Sequence, residues 1–299
     1  MANVRYCFLY LCSLFPLRVH YFFSGVTAFL LRVIVRYRYS TIIINISRSF
    51  PELKYKEITR LAKDYYGYMC DMMAESVWDL SHSNKAVCKV VEVVNPEIVD
   101  DLQSRYGKVL VLMGHFGNFE LVSGMCGEIG KRGGDSFVNN PIYIVYKKPK
   151  SKTSDILFRK LRMHEYRKFA SIGEVVESKN VIRHLLRNSD NKAVYVLIAD
   201  QNTVGSKHHA VMFLNQPTYF MNGPEYIAMK TSMPVVYLSM DRVRRGKYRI
   251  SFTTITENAH NEPENFVTER YAKLLEEDIR RNKVNWLWSH KRWKKVVEM

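Results

Sequence analysis

The segment Val109-Leu-Val-Leu-Met-Gly-His115-Phe-Gly-Asn-Phe-Glu120 joins a short apolar run, a histidine in a glycine-containing turn and a carboxylate five residues later. A continuous apolar run that ends at glycine is typical of a strand covered on both faces, so residues 109–113 are predicted to form a buried strand. Apolar residues with helical spacing follow Asn118, which is a good helix N-cap, and predict a helix there. His115 is therefore expected in the turn after a strand, and Glu120 in the first turn of a helix.

His115 and Glu120 are the first candidates for chemistry. A carboxylate near a helix N-terminus is favoured as the anion, and beside an imidazole it orients the ring and raises its basicity. Gly114 and Gly117 make the necessary sharp turn easy to form. The same two residues also fit a structural role, in which His115 satisfies a strand-end hydrogen bond and Glu120 caps a helix. These residue types alone do not decide between the two interpretations.

The rest of the chain predicts an α/β fold. A helix is expected over residues 51–80, and later segments alternate between strands and helices. These segments are residues 142–146, a basic helix through Phe158 and Leu161, residues 181–186, residues 193–199, a helix from Pro224, residues 235–240, residues 248–254 and a helix over 269–280. We expect one domain over residues 39–299, with a mixed or largely parallel sheet flanked by helices, after an N-terminal membrane-associating helical segment over residues 1–38.

The N-terminal segment is apolar but interrupted. Residues 6–17 and 21–31 are mostly apolar, and Arg18 and His20 lie between them. Each half is shorter than the roughly 20 residues that cross a bilayer. The pattern predicts two amphipathic or re-entrant segments in one leaflet, with arginines reaching lipid phosphates, and it does not resemble a cleaved signal peptide. A buried helical hairpin of a soluble protein is the alternative.

Composition narrows the possible partners. The 299 residues carry a formal net charge of +16, which favours an anionic partner such as a phospholipid surface, a phosphorylated substrate, an acidic carrier protein or nucleic acid. Five scattered cysteines match neither a zinc site nor a disulfide scaffold, and His208 and His209 are not spaced like a helical metal pair. No metal and no cofactor are expected. Kinase, hydrolase and dehydrogenase motifs are missing from the sequence.

Several sequence blocks, in order, resemble the late acyltransferases of lipid A biosynthesis, the lauroyl/myristoyl transferase family. They are Gly-His115-Phe-Gly-Asn-Phe-Glu120, the Asn45 and Phe50-Pro-Glu52 block, Glu75, Ala199-Asp200-Gln201, Phe213-Leu-Asn-Gln-Pro217, Gly223-Pro-Glu-Tyr-Ile-Ala228 and Trp286-Leu-Trp-Ser-His-Lys-Arg-Trp-Lys294. The resemblance covers nearly the whole chain. Asn215, where glycine is usual, and Phe220, where threonine is usual, indicate a divergent branch.

The resemblance implies a membrane-associated O-acyltransferase with a glycerolphosphate-acyltransferase-like fold. His115 would be the general base for a hydroxyl that attacks an acyl thioester, and Glu120 would fix its tautomer and stabilise the imidazolium. The donor would be an acyl carrier protein or acyl-CoA, and the acceptor a lipid A precursor or a related anionic lipid. The resemblance also implies attachment to the cytoplasmic face of the inner membrane.

Five further residues are candidates for binding substrate or the oxyanion. They are Gly117 and Asn118 through their backbone N–H groups, Lys147 where the family carries arginine, Arg167 with Arg162 as its rival, and Asp200 at a strand end. Lysine keeps the charge but lacks the bidentate fork of arginine. An exposed helix charge, for either arginine, and a turn-forming aspartate, for Asp200, are the structural alternatives.

Two alternative functions remain at this point. The chain could acylate another lipid acceptor, such as a lysophospholipid, an aminolipid or a mannosyl lipid, or it could be a basic membrane-peripheral binding protein without catalysis. The C-terminal tryptophans, interleaved with cations, suit a lipid headgroup interface or nucleic acid equally well. No nucleic-acid motif accompanies them, so no nucleic-acid partner is expected.

Overall fold

A computed structural model describes residues 2–82, 84–123, 140–149, 151, 155–156, 172–188, 192–201 and 209–294. Its centre is a seven-stranded sheet in the order β1-β9-β8-β2-β5-β3-β4. The strands are β1 (Val91–Val93), β2 (Lys108–Met113), β3 (Ile142–Tyr146), β4 (Ile172–Glu177), β5 (Ala193–Ile198), β6 (Ala210–Phe213), β7 (Gln216–Tyr219), β8 (Val235–Arg244) and β9 (Lys247–Thr256). Neighbours in the sheet are parallel except for β8 and β9, so the predicted α/β class with a largely parallel sheet is confirmed.

Helices cover both faces of this sheet. They are α1 (Ala2–Ser13), α2 (Leu17–Phe29), α3 (Tyr39–Ser49), α4 (Tyr55–Asp79), α5 (Asn84–Val87), α6 (Glu97–Tyr106), α7 (Val181–Arg187), α8 (Gly223–Thr231) and α9 (Phe266–Arg281). Alternation along β2 divides the core between the two faces. Leu110 and Leu112 pack on one side with the residues of α4 and α9, and Val109, Val111 and Met113 pack on the other. The continuous apolar run is therefore explained by burial on both faces.

The antiparallel hairpin β6–β7 lies outside the main sheet and was not predicted from the sequence. Its two-residue loop is Leu214 and Asn215, with φ of 50° and 61°. Two successive residues with positive φ make the hairpin turn that matches strand twist, and asparagine tolerates this conformation better than other residues with a side chain. Asn215, which departs from the family's glycine, therefore occupies a left-handed position.

The N-terminal region differs from the prediction in where it breaks. Its two helices separate near Pro16, rather than at Arg18 and His20, because proline begins a helix more easily than it continues one. The second helix runs on as a π-helical segment, Leu30–Ile34. The 18 residues Leu17–Ile34 are long and apolar enough to cross a membrane, and 6% of them are buried. The second segment is thus longer than predicted, and the buried-hairpin alternative does not fit its exposure.

Both N-terminal helices pack on the long helix α4, which confirms the helix predicted over residues 51–80. The predicted segment over residues 181–186 is helical, as α7. The basic helix through Phe158 and Leu161 lies outside the described residues. The boundary between a membrane segment and a catalytic domain at residue 38 stays a prediction.

Candidate active site

Parallel register brings His115 and Asp200 together. In the pairing of β2 with β5, Met113 is opposite Ile198, and the N–H of Ala199 continues the ladder by donating to the carbonyl of Met113. His115 and Asp200 each follow their strand by two residues, so they emerge side by side at the carboxyl edge of the sheet. This edge is where ligands collect in parallel α/β sheets.

Both oxygens of the Asp200 carboxylate have hydrogen-bond partners in the site. Its Oδ1 lies 2.5 Å from Nδ1 of the His115 ring, and its Oδ2 accepts from the backbone N–H of His115 at 2.9 Å and from the indole N–H of Trp286 at 2.8 Å. Burial by itself raises the pKa of Asp200, but the attraction of the His115 ring and these hydrogen bonds outweigh it and lower the pKa to about 2. Asp200 is therefore an anion that holds the imidazole in one orientation.

This contact also fixes which nitrogen of His115 can act as a base. A carboxylate can only accept, so Nδ1 carries the proton and Nε2 carries the lone pair in the neutral ring. Nε2 lies 2.9 Å from the side-chain nitrogen of Gln201, which is exposed. The His115 side chain is 13% exposed, enough for an incoming group to replace the Gln201 amide. The geometry is that of a general base open to solvent on one side.

Two glycines shape the turn that presents His115. Gly117 has φ of +65°, and a Cβ at this position would lie 1.9 Å from the carbonyl oxygen of Met240. A Cβ on Gly114 would lie 2.6 Å from a methyl group of Leu275. Only glycine fits at position 117, because a Cβ there would clash with backbone and the conformation is left-handed.

The prediction that Gly117 offers a backbone N–H to an oxyanion does not match the observed geometry. That N–H donates to the carbonyl of Asn285 at 2.9 Å, so it already has a partner. The carbonyl of Gly117 accepts from the Tyr68 hydroxyl at 2.6 Å. The turn is tied down on both sides, and the oxyanion role stays a prediction for the backbone of Asn118.

Asn118 was expected to cap a helix, and its side chain does something else. A short 3-10 helix, Phe119–Ser123, begins after it, but its amide donates to the Glu75 carboxylate at 2.8 Å. Glu75 is 1% exposed, and it also accepts from the hydroxyls of Tyr248 at 2.5 Å and Tyr21 at 2.7 Å. A helix cap would need the side-chain oxygen of Asn118 to accept from a backbone N–H, and this Oδ1 has no hydrogen-bond partner among the described residues. The sequence pointed to Glu75 only through the family resemblance and gave it no role.

Glu120 lies in this 3-10 helix and is half-buried. Phe119, beside it, packs edge-on against the His115 ring with centroids 4.8 Å apart. The carboxylate that forms a hydrogen bond with the ring of His115 is that of Asp200. Spacing along the chain therefore predicted Glu120 as the partner of His115, whereas strand register brings Asp200 to it.

Of the two predicted cationic residues, the structure describes the position of Lys147 alone. Lys147 is exposed and follows β3 directly. Because β3 pairs in parallel with β5, Lys147 lies at the same sheet edge as Asp200, on the far side of β5 from His115. Arg167 and its rival Arg162 lie outside the described residues.

The tryptophan-rich C-terminus is not the open interface that its sequence pattern suggested. Trp286 and Trp288 are 2% and 0% exposed, and Trp286 closes the back of the site through Asp200. His290 lies close enough to feel Asp200, and burial lowers its pKa to about 4, so it is neutral near pH 7. Arg292 is 3% exposed and donates to the carbonyl of Tyr219. Trp286, Trp288 and Arg292 therefore build a buried wall, whereas Lys291 and Lys294 are exposed.

The site as built can remove a proton, and it holds its base by charge and hydrogen bonding. Within the described part of the chain, no group of three or more histidine, cysteine, aspartate or glutamate side chains is arranged to hold a metal ion. The arrangement suits acid–base chemistry.

Comparison with known families gives one match that spans almost the whole chain. Residues 4–295 match the model of the family described as bacterial lipid A biosynthesis acyltransferase. A comparison with the curated proteins finds no matching sequence.

Proposed function

The chain belongs to the bacterial lipid A biosynthesis acyltransferase family, and on that premise we propose that it is a membrane-associated O-acyltransferase with His115 as general base. It moves a fatty acyl chain from an acyl thioester to a hydroxyl of a lipid A precursor or a related anionic lipid. The observation that carries the proposal is the contact of Asp200 with Nδ1 of His115, which leaves Nε2 as the basic nitrogen at an accessible strand end.

In the proposed reaction, the acceptor hydroxyl replaces the Gln201 amide at Nε2 of His115. His115 takes the hydroxyl proton as the oxygen attacks the thioester carbonyl, which forms the new C–O bond and gives a tetrahedral intermediate. Collapse of this intermediate restores the carbonyl, breaks the C–S bond and expels the thiolate. The proton on Nε2 then passes to the leaving sulfur, so the free thiol is released. Asp200 stabilises the imidazolium throughout, as the carboxylate of a catalytic triad does.

Glu120 and the candidate binding residues complete the proposal. Glu120 adds negative charge in the turn whose Phe119 touches the imidazole, and so supports the imidazolium from a second direction. Lys147 is placed to attract the phosphate of the acceptor or donor at the sheet edge, and we propose the same role for Arg167 from the family resemblance alone. The backbone N–H of Asn118 is the candidate oxyanion donor.

For the donor we propose an acyl carrier protein, with acyl-CoA as the other thioester source. Carrier proteins of this kind are acidic, and a chain with a formal net charge of +16 attracts an acidic partner over long range. The proposed location is the cytoplasmic face of the inner membrane. Support for it comes from the family and from the largely exposed apolar helix of Leu17–Ile34.

The test is acyl transfer by washed membranes that contain the full chain. The membranes are incubated with lauroyl-acyl carrier protein and a lipid A precursor, and the acylated product is separated by thin-layer chromatography. We expect His115→Ala to lower the rate by about 10²- to 10⁴-fold, which is the usual contribution of a general base. His260→Ala, which removes an exposed histidine in the turn after β9, is the matched control and should keep the wild-type rate.

Further arms identify the substrates. Lauroyl-CoA replaces the carrier protein in one arm, and a lysophospholipid replaces the lipid A precursor in another. Transfer only to the lysophospholipid would overturn the acceptor but keep the reaction class. Wild-type transfer by His115→Ala would contradict the general-base mechanism, and full function in vivo for both His115→Ala and Glu120→Ala would favour a non-catalytic binding protein.

A further inference from the structure

A second concave site lies between the N-terminal helix α2, helix α4 and the β8–β9 turn. It is an open cleft of about 670 Å³. Neither His115, Asp200 nor Glu120 lines it. Tyr68 and Asn285 of its lining bind the backbone of Gly117, so the cleft borders the turn that presents His115 without including the ionisable residues of the proposed catalytic site. Its interpretation rests on the charges of the cleft and not on the acyl-transfer proposal.

The lining of this cleft is strongly basic. Five cationic side chains and two carboxylates face it: Arg32, Lys63, Arg242, Arg244 and Arg245, with Asp64 and Asp71. The formal balance of these seven side chains is +3. Such a concentration of cations in one concavity focuses an attractive field on an anion.

The charges of the cleft are not all equivalent. Arg242 and Arg245 are held by Asp71, with nitrogen–oxygen distances of 2.6 and 2.5 Å. The hydroxyl of Ser24 on α2 donates to the same carboxylate, which ties α2 to α4 and, through the two arginines, to the β8–β9 hairpin. Together with Asp71, these two arginines form a fixed floor with a formal charge of +1. Arg32, Lys63 and Arg244 form no ion pair within the described residues, and they supply the excess positive charge.

The neighbourhood of the cleft indicates the kind of anion. Gly25, Ala28 and Phe29 of α2 form one wall, and Phe29 is 54% exposed. The large apolar side chains that follow it, Leu30, Val33 and Ile34, are 41% to 67% exposed. A basic cleft that opens beside a mostly exposed apolar helix offers charge and apolar surface to one amphipathic ligand. An anionic phospholipid has this combination, with a phosphate headgroup next to its acyl chains.

We infer that this cleft binds the headgroup of an anionic phospholipid of the bilayer, such as phosphatidylglycerol. The phosphodiester is held by Arg32, Lys63 and Arg244, and the acyl chains lie along the exposed face of α2. Arginine matches phosphate oxygens with its planar fork, and lysine adds a point charge. The lipid anchors the apolar helix at a fixed depth relative to the sheet.

The test is lipid binding by the full chain in a neutral detergent, read by native mass spectrometry as the fraction of protein that carries phosphatidylglycerol or phosphatidylcholine. We expect phosphatidylglycerol to bind at least about tenfold more tightly than phosphatidylcholine, since juxtamembrane cations add attraction for anionic lipid. The variant Arg32→Gln/Lys63→Gln/Arg244→Gln should lose this preference. The control Arg183→Gln/Arg187→Gln/Lys273→Gln removes the same charge from α7 and α9 and should keep it.

Three results would overturn the inference. They are equal loss of phosphatidylglycerol binding in both triple variants, equal binding of the two lipids by the wild type, and displacement of phosphatidylglycerol by millimolar sodium phosphate, which would indicate a site for free phosphate. Lys63→Glu guards against misfolding of the triple variant, because it changes one exposed side chain on α4. It should weaken phosphatidylglycerol binding severalfold, and unchanged binding would also count against the site.

Discussion

Asp200 and Glu75 are both buried carboxylates, 2% and 1% exposed, and they contact opposite ends of the turn over residues 114–118. Asp200 contacts the His115 end through an ionisable ring, a backbone N–H and an indole. Glu75 contacts the Asn118 end through three neutral donors, which are one amide and two tyrosine hydroxyls. A carboxylate beside an imidazole changes the chemistry of that ring, whereas a carboxylate satisfied by neutral donors fixes the position of what it binds.

The first prediction concerns a substitution that disrupts the turn over residues 114–118, which both carboxylates contact. Gly117→Ala should destabilise the protein by about 3 kcal/mol or more, because it adds left-handed strain and a clash with the Met240 carbonyl. Gly67→Ala is the matched control. Its Cβ meets nothing within 4 Å, and inside α4 alanine should stabilise by roughly 0.5 to 1 kcal/mol. Chemical unfolding in detergent measures both, and a Gly117→Ala variant as stable as the wild type would contradict the observed turn.

The second prediction concerns the pH dependence of the Asp200 side. The pKa of Asp200 is lowered from its ordinary value of 3.8 to about 2, so its contribution is complete above about pH 4 and is lost as pH falls towards 2. The shift corresponds to roughly 2 kcal/mol of unfolding free energy. The stability difference between wild type and Asp200→Asn should shrink by most of that amount between pH 6 and pH 2.5, and by the rest below pH 2.

A second variant checks the cause of this pH dependence. Since the His115 ring is the main favourable partner of Asp200, His115→Ala should lose much of the same acid-dependent stability. Thermal unfolding over the pH series gives the comparison. A difference between wild type and Asp200→Asn that stays constant with pH would mean that the contact contributes no linked stability.

The third prediction tests whether Glu75, whose three donors are neutral, fixes the position of the turn without taking part in the chemistry. Glu75→Gln should cost about 1 to 3 kcal/mol, because the new amide cannot accept from all three donors. Tyr248→Phe removes one of those donors and should cost about 1 kcal/mol. Both variants should keep acyl-transfer rates closer to the wild type than Asp200→Asn does. A larger loss of rate in Glu75→Gln than in Asp200→Asn would reverse the division of roles.

Local sequence pattern was sufficient for the elements that carry the site. The apolar runs before His115 and Asp200 predicted β2 and β5, because a strand that is buried on both faces carries a continuous run of apolar residues without polar alternation. That both residues follow their strands by two positions was also visible in the sequence. Their contact was not, since it depends on β5 lying next to β2, and strand order is a property of the whole sheet.

Long-range contacts explain what the sequence did not predict. Asn118 lies 43 residues from Glu75 along the chain, and Trp286 lies 86 residues from Asp200. No short-range sequence periodicity indicates contacts between residues so far apart in the chain. The C-terminal tryptophans illustrate the limit, because alternation of indoles with cations is compatible with a lipid interface and with a buried wall. The prediction of Glu120 as the partner of His115 came from chain spacing, which does not include a residue brought in from a neighbouring strand.

The measurement that tests the central claim most directly is the acyl-transfer rate constant of Asp200→Asn beside that of Glu120→Gln, in the same washed membranes and with the same substrates. If Asp200 orients the base, Asp200→Asn should lower kcat by about 10²- to 10⁴-fold with little change in KM, as loss of the carboxylate of a triad does, and Glu120→Gln should cost clearly less. A larger loss in Glu120→Gln, with Asp200→Asn near the wild-type rate, would contradict this account and restore the dyad predicted from chain spacing.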